Sequence, residues 1–249
     1  MNKFTFIAVS TLAVSLTACS SNQVIGAIGA SSSLYQGATI SKEELVNSSK
    51  LSAEEMDNDA VVATSENKYA KRLERLTTDL NSYDGLTLNY KVYLADDVNA
   101  FAMPDGTVRI YSGLMDLMSD DEIIAVIGHE IGHVANEHSL YQYKKAYLAK
   151  AAKQGTSAVG GMTGLVSNVL GDVGESFLNA QFSQSDELES DVYGVNLLHK
   201  KGLNPYAAVT AQEKLQSLSD GTDSVFSSHP SSQKRIDLAR EEADKLTGK

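Results

Sequence analysis

Apolar residues recur at steps of three and four along much of the chain, the spacing that gathers them on one face of a helix. Residues 123–134 show this spacing most clearly, through Ile123, Ile124, Ile127, Ile131 and Val134. Ser119 comes shortly before them, and Glu122 follows it three residues later, which is the capping box that starts many helices. The pattern therefore predicts a helix within residues 119–138.

Two further helices are predicted earlier in the chain, followed by a stretch of alternating polarity. Residues 41–59 begin with a second capping box, and residues 66–80 carry an apolar stripe at helical spacing. The alternation then predicts strands at 86–94, 99–103 and 107–111. Asp105 and Gly106 form a hairpin signal between the last two. We expect a mostly helical α+β fold with a small antiparallel sheet beside the central helix.

The predicted central helix contains the sequence His129-Glu130-Ile131-Gly132-His133. Residues four apart lie on one face of a helix, so both imidazoles can reach one metal ion. Glu130 is turned about 100° from His129, which places its carboxylate beside the metal. There it can take a proton from a water that attacks a substrate. We prefer this zinc hydrolase interpretation to a half-buried helix with incidental histidines, or to a structural zinc that would not need Glu130.

A catalytic zinc usually has three protein ligands, so the two histidines need a partner. The other histidines are His138, His199 and His229. Among the carboxylates, Glu187 and Asp191 lie four residues apart on one face of a predicted helix, and that face continues with apolar residues. A carboxylate on a core-facing stripe is costly unless it is paired or bound to metal. The spacing therefore favours Glu187 as the third ligand. The alternative is that these carboxylates lie on a solvated acidic face of the helix.

Composition and the N-terminal residues bear on partners and location. The 249-residue chain carries 32 acidic and 21 basic residues, a net charge of −11 at pH 7, so no nucleic acid partner is expected. Residues 4–18 are rich in apolar side chains and end just before Cys19, the only cysteine. This ending resembles a bacterial lipobox, in which the cysteine is lipidated. A plain signal peptide with an incidental cysteine is the alternative.

The predicted processing divides the chain into three parts. Residues 1–18 would be a lipoprotein signal peptide, residues 19–60 a lipid-anchored tether with a first helix, and residues 61–249 the catalytic domain. The residues that follow Cys19 resemble those of Gram-negative lipoproteins at the periplasmic face of the outer membrane. Residues 154–174 are rich in Gly and Ser, so we predict a mobile or packed helix near the site rather than a membrane span.

The central motif and the later sequence from Phe182 to Asp191 together resemble the HtpX/BepA/LoiP family of zinc metallopeptidases. The resemblance covers about residues 69–240. It implies a zincin fold of the gluzincin-like type with one Zn²⁺ per chain, and His129, His133 and Glu187 as the ligands. It further implies that Asp191 orients a zinc-bound histidine. The chain departs from the family pattern at two positions that are not ligands, Gln184 and Ser190.

The family also carries a His-Pro pair with an arginine six residues after the histidine, which corresponds here to His229, Pro230 and Arg235. Two roles for His229 stay open at this stage. It could hydrogen-bond the oxyanion of the tetrahedral intermediate, or it could ligate the zinc and keep the resting enzyme closed. Arg235 is expected to help bind the oxyanion or the substrate backbone.

The strand before the hairpin is a candidate for substrate binding. An extended peptide can add to a sheet edge as one more strand, which would hold the scissile bond over the metal. The candidate edge residues are Asn99, Ala100, Phe101 and Ala102. An ordinary hairpin that covers the core is the alternative.

These observations lead to an expected function. The chain should be a zinc-dependent endopeptidase, and the resemblance implies unfolded or misassembled envelope proteins as substrates, with outer-membrane assembly machinery as a further expected partner. Members with a lipoprotein signal and a short catalytic domain resemble it best. The alternative is a chaperone-like assembly factor whose proteolysis is rare or gated.

Overall fold

The computed structural model describes residues 40–154, 167–219, 228–230 and 232–249. Its helices are α1 (Lys42–Asp59), α2 (Lys68–Thr77), α3 (Ser112–Leu117), α4 (Asp120–Ala135), α5 (His138–Gln154), α6 (Ser167–Leu178), α7 (Gln184–Lys200), α8 (Ala207–Ser219) and α9 (Gln233–Thr247). Its strands are β1 (Ser82–Tyr83), β2 (Leu86–Thr87), β3 (Asn89–Tyr93), β4 (Ala100–Ala102) and β5 (Thr107–Tyr111). The predicted fold class, mostly helical with small sheets, is confirmed.

The strand pattern departs from the prediction in two ways. The predicted strand over 86–94 is two strands, because β2 pairs with β1 in a separate hairpin while β3 joins the larger sheet. That sheet has the order β3-β5-β4, with β4 antiparallel to β5 but β3 parallel to it. It is therefore mixed rather than antiparallel. After the hairpin, β5 lies between β3 and β4, and β4 therefore forms an edge of the sheet.

The central helix α4 begins where the capping signal predicted. The Ser119 hydroxyl accepts from the Glu122 backbone N–H, and the Glu122 carboxylate accepts from the Ser119 N–H at 2.8 Å. Lys214 of α8 also donates to Glu122 at 2.6 Å. Every residue from Glu122 to Val134 is buried, since the helix lies between the sheet and the later helices. The two histidines of the motif are thus fixed on the most enclosed helix of the fold.

Helices α4 and α7 pack unusually closely because glycines line their contact. A Cβ atom added at Gly128 would lie 2.9 Å from Cα of Gly194, and one added at Gly194 would lie 2.9 Å from the Ala125 carbonyl oxygen. Both distances are shorter than real Cβ contacts, so the approach requires residues without side chains. This contact brings the carboxylates of α7 to the histidines of α4.

Helix α1 is attached to the sheet by an ion pair between the half-buried Asp57 and the buried Arg109. Arg109 on β5 donates to both carboxylate oxygens of Asp57, at 2.7 and 2.8 Å. Lys91 and the Tyr93 hydroxyl donate to the same carboxylate. Burial raises the pKa of Asp57, but these donors outweigh it and hold that pKa below its usual range. The first helix therefore packs firmly against the domain that carries the site.

Some predictions fall on residues that the structure does not describe. The signal peptide, Cys19 and the first part of the tether lie outside the described residues, as do residues 155–166 of the Gly-rich segment. The end of that segment, from Ser167, belongs to α6. None of the helices in the described ranges combines the length and the apolarity that crossing a membrane requires.

Candidate metal centre

The structure brings the three predicted metal ligands together and adds His229. One ligand atom from each of His129, His133, Glu187 and His229 lies within 4.8 Å of the others. The Nε2 atoms of His129 and His133 are 3.0 Å apart, as the spacing of four on α4 requires. Glu187 on α7 places Oε1 3.4 Å from Nε2 of His133 and Oε2 3.5 Å from Nε2 of His129.

This donor set fits a bound metal ion. The side chains of His129, His133, Glu187 and His229 are buried, and their donor atoms converge on one point. Two imidazole nitrogens only 3.0 Å apart cannot both carry a proton toward each other, whereas their lone pairs can share a cation. Three imidazoles and one carboxylate are ligands that suit zinc, and zinc hydrolases with two histidines and one glutamate as ligands are known.

A second layer of charged groups holds these ligands. Asp191 Oδ1 lies 3.0 Å from Nδ1 of His129, the arrangement that fixes the tautomer and ring angle of a ligating histidine. Arg235 donates to Asp191 through Nε and Nη2, both at 2.7 Å, and its Nη1 lies 2.5 Å from Glu187 Oε2. Arg235 is 2% exposed. This placement favours holding the two carboxylates over the expected contact with an oxyanion or a substrate backbone.

The electrostatics of the ligands follow from burial and from their mutual contacts. Burial raises the pKa of Glu187, but the imidazoles of His229 and His133 more than offset this and hold it well below its usual range. Burial lowers the pKa of His133 well below its usual value. Burial likewise raises the pKa of Asp191, and Arg235 reverses the effect. An ionised carboxylate with a neutral imidazole is the state that metal binding needs.

Glu130 lies beside the cluster and does not join it. Its side chain is 1% exposed, and Oε1 is 3.6 Å from Nε2 of His229. No hydrogen-bond partner of Oε1 is found among the described residues. Burial raises the pKa of Glu130, although the nearby imidazoles of His229 and His129 and the Ala102 backbone N–H act against the rise. A buried carboxylate with a raised pKa and a free oxygen is suited to proton transfer.

His229 is held in the cluster by aromatic stacking and by its backbone. Its Nδ1 lies 2.9 Å from Glu187 Oε1 and 3.2 Å from Nε2 of His129. Its ring stacks on Phe182, with centroids 5.0 Å apart and planes inclined by 26°. Arg235 Nη1 donates to the carbonyl oxygens of His229 and Pro230 at 3.3 and 3.2 Å. The sequence alone left two roles open for this histidine, and the structure places its ring among the predicted ligands.

The sequence did not predict one packing contact of the site, and the two remaining histidines lie outside the cluster. Phe182 also packs on His133, with ring centroids 3.9 Å apart, and no periodic pattern predicts this contact. His138 contacts His133 edge to face, with ring centroids 5.3 Å apart, but its Nε2 lies 3.3 Å from Glu189, outside the cluster. His199 is exposed in the last turn of α7.

The candidate substrate strand β4 lies at the edge of the sheet, and two of its outward backbone groups already bond to side chains of this chain. Its ladder with β5 leaves the N–H and C=O groups of Ala100 and Ala102 pointing outward. The Ala100 N–H donates to the Asn99 side chain at 2.9 Å, and the Ala102 carbonyl accepts from the Ser139 hydroxyl at 2.9 Å. Asn99 itself precedes β4, and Phe101 turns away from the central helix into a second apolar cluster.

Comparison with known proteins gives a consistent picture. Residues 64–243 match the family model described as peptidase family M48. Metalloprotease YcaL of Escherichia coli K12 is 40% identical over 241 residues, which cover 94% of this chain and 95% of that protein. Metalloprotease LoiP of the same organism is 39% identical over 233 residues, 92% of each chain. The beta-barrel assembly-enhancing protease of Escherichia coli K12 is 28% identical over 165 residues, which cover 61% of this chain and 33% of that protein.

These matches confirm the resemblance predicted from the motifs. They extend over nearly the whole chain in the two most similar of these relatives, and both are metalloproteases by name. The matched family region contains the buried cluster of two histidines, a glutamate and a further histidine. We conclude that the chain belongs to peptidase family M48 and is a metalloendopeptidase.

Proposed function

We propose that the metal is zinc, one ion per chain, and that the protein hydrolyses peptide bonds of misfolded or misassembled envelope proteins. The observation that carries the proposal is the convergence of His129, His133 and Glu187 on one point, directly beside the buried Glu130. Zinc, when bound, supplies a Lewis acid toward the scissile carbonyl. The residues around it determine where the proton goes and what reaches the site.

Glu130 is the proposed general base. Its free carboxylate oxygen can accept a proton from the attacking water and then return it to the departing amine. Asp191 and Arg235 do not touch this chemistry; they hold His129 and Glu187 in place. The expected oxyanion role of Arg235 is therefore replaced in our proposal by a positioning role.

His229 is the proposed fourth ligand of a closed resting state. Its Nδ1 lies 2.9 Å from Glu187 Oε1 and 3.2 Å from Nε2 of His129, and its Nε2 lies 3.6 Å from Glu130 Oε1. The ring therefore fills the space that an attacking water and a substrate carbonyl need. Activity would require the segment with His229 to move away, against the stacking on Phe182. We favour this interpretation over a direct oxyanion contact.

Substrate binding is proposed at the outer edge of β4. An extended chain could pair with the outward backbone groups of Ala100, once the Asn99 side chain releases the Ala100 N–H. The Ala102 carbonyl already holds Ser139, so pairing would be short unless that bond also opens. Affinity for unfolded rather than folded chains follows, because only an extended backbone can add to a sheet edge.

The location is proposed from the N-terminal sequence and from the relatives. Lipidation at Cys19 would tether the enzyme to the outer membrane at its periplasmic face, where misassembled envelope proteins occur. The name of the beta-barrel assembly-enhancing protease of E. coli associates that relative with barrel assembly. Contact with outer-membrane assembly machinery is proposed for this chain on the same basis.

Replacing the proposed base tests the mechanism. Glu130→Gln keeps the size of the side chain but removes the proton acceptor, so cleavage of casein should fall by at least about 100-fold. Zinc content should stay at the wild-type level, because Glu130 is not a ligand. Asp121→Asn, on the first turn of the same helix, is the matched control and should cleave normally. Cleavage by Glu130→Gln near the wild-type rate would contradict the assignment.

The same variant separates proteolysis from client binding. A chaperone-like assembly factor would keep its cellular role when Glu130 is replaced by Gln, whereas a quality-control protease would lose it. The measurement is growth of a strain that depends on the protein, with the wild-type gene or the Glu130→Gln allele. Full complementation by the variant would favour the assembly-factor alternative.

Removing the proposed fourth ligand should open the site. His229→Ala should cleave casein roughly tenfold faster than wild type at equal zinc content, since a closed state usually leaves a tenth or less of the molecules competent. His199→Ala is the control, because that histidine is exposed and outside the cluster. Loss of cleavage in His229→Ala at equal zinc would show that the histidine acts in the reaction itself.

Lipidation is tested by fractionation. Cys19→Ser removes the only thiol, so the protein should move from the membrane fraction to the soluble periplasmic fraction and lose incorporation of labelled palmitate. Unchanged membrane recovery without label would contradict an anchor at this residue.

A further inference from the structure

Asp191 receives more donors than a support for one histidine requires. Its carboxylate accepts two bonds from Arg235 and lies 3.0 Å from Nδ1 of His129. A further donor comes from α8, where Gln212 Nε2 donates to Asp191 Oδ1 at 3.1 Å. Gln212 lies on α8, four elements after the helix α4 that carries the motif, and no spacing in the sequence predicts that it contacts the site.

The environment of Gln212 is poorly suited to a glutamine. Gln212 is 8% exposed and lines a partly open cavity of about 20 Å³ whose other walls are mostly apolar, among them Ala125, Ala208 and Leu215. Its Oε1 atom is buried and finds no hydrogen-bond partner among the described residues. A buried acceptor without a partner disfavours folding, and an apolar side chain of the same length would avoid that cost.

The orientation of the amide follows from the charge beside it. The alternative rotamer would turn Oε1 toward the Asp191 carboxylate, so the amide can face Asp191 only through its NH₂ group. This leaves Oε1 turned away from Asp191 and buried. Among the residues that the structure describes, the side chain of Gln212 therefore bonds to Asp191, which in turn contacts the ligand His129.

We propose that Gln212 is a positioning residue of the metal site, which fixes the Asp191 carboxylate so that Asp191 can fix His129. The proposal rests on the metal site described under Proposed function. Both bonds from Arg235 come from one planar guanidinium, so they restrain the Asp191 carboxylate from one side only. Gln212 approaches from a different helix and restrains that motion. Outer partners of this kind commonly change metal affinity by tenfold or more.

The test uses the full mature chain and compares Gln212→Met with wild type. Met has similar length and no polar atom, so the metal-free protein should keep or raise its Tm. Its zinc Kd, measured by competition with a chelator, should weaken by about tenfold. The kcat for casein at saturating zinc should fall while KM stays near the wild-type value, since substrate contacts are untouched.

Two further variants keep the test decisive. Gln212→His can still present a ring N–H to Asp191 and should recover much of the zinc affinity. Asn196→Leu removes an amide from α7 that bonds to Val192 and Glu242, and its zinc affinity should not change. A lowered metal-free Tm with unchanged zinc affinity in Gln212→Met would mean a structural role only and would overturn the proposal.

Failure of this inference is distinguishable from failure of the proposed function. If wild type binds one zinc tightly and Gln212→Met binds it equally well, only the positioning role is wrong. If wild type itself binds no zinc at the cluster, the metal assignment fails first, whatever Gln212 does.

Discussion

The close contact between helices α4 and α7 is the constraint on which the site depends. Two histidines on one helix give a metal only half a coordination shell, and the third ligand must come from another element at nearly the same height. The glycines at 128 and 194 allow the two backbones to approach until a Cβ would not fit. Glu187 then lies beside Nε2 of His129, and Asp191 lies beside Nδ1 of the same ring. One helix pair therefore supplies both a predicted ligand and the group that supports it.

Burial makes this arrangement expensive, and charge pairing offsets the cost. Glu130, Glu187 and Asp191 are three carboxylates in one enclosed volume, and their repulsion would oppose folding without compensation. Arg235 contacts two of them, and a bound metal ion would supply further positive charge. No contact between Arg235 and the third, Glu130, is found among the described residues, and burial raises the pKa of Glu130. The same volume thus lowers the pKa of Glu187 and Asp191 and raises that of Glu130, which suits the proton transfer we propose for Glu130.

Much of the fold and the inner site could be predicted because local signals agree with the final structure. The capping boxes at Ser41 and Ser119 mark helix starts to within a residue, and the spacing of four places both histidines and both carboxylates on shared faces. Sheet topology was less accessible, because alternation in 86–94 does not reveal that β2 and β3 pair with different strands. The stacking of Phe182 and the contact of Gln212 depend on packing between distant helices, which single-sequence patterns do not encode. His229 was found only through the family resemblance, since its own neighbourhood shows no periodicity.

We propose that one zinc ion bound at this cluster makes the chain a peptidase. The most direct measurement is a titration of the EDTA-stripped mature protein with Zn²⁺, in which casein cleavage and bound zinc are followed together, for wild type and for Glu187→Ala. We predict that activity rises linearly until one zinc is bound per chain and then stays constant, and that Glu187→Ala remains inactive over the same range. Full activity in the stripped protein, or activity that returns in Glu187→Ala at the same zinc concentration, would contradict this account.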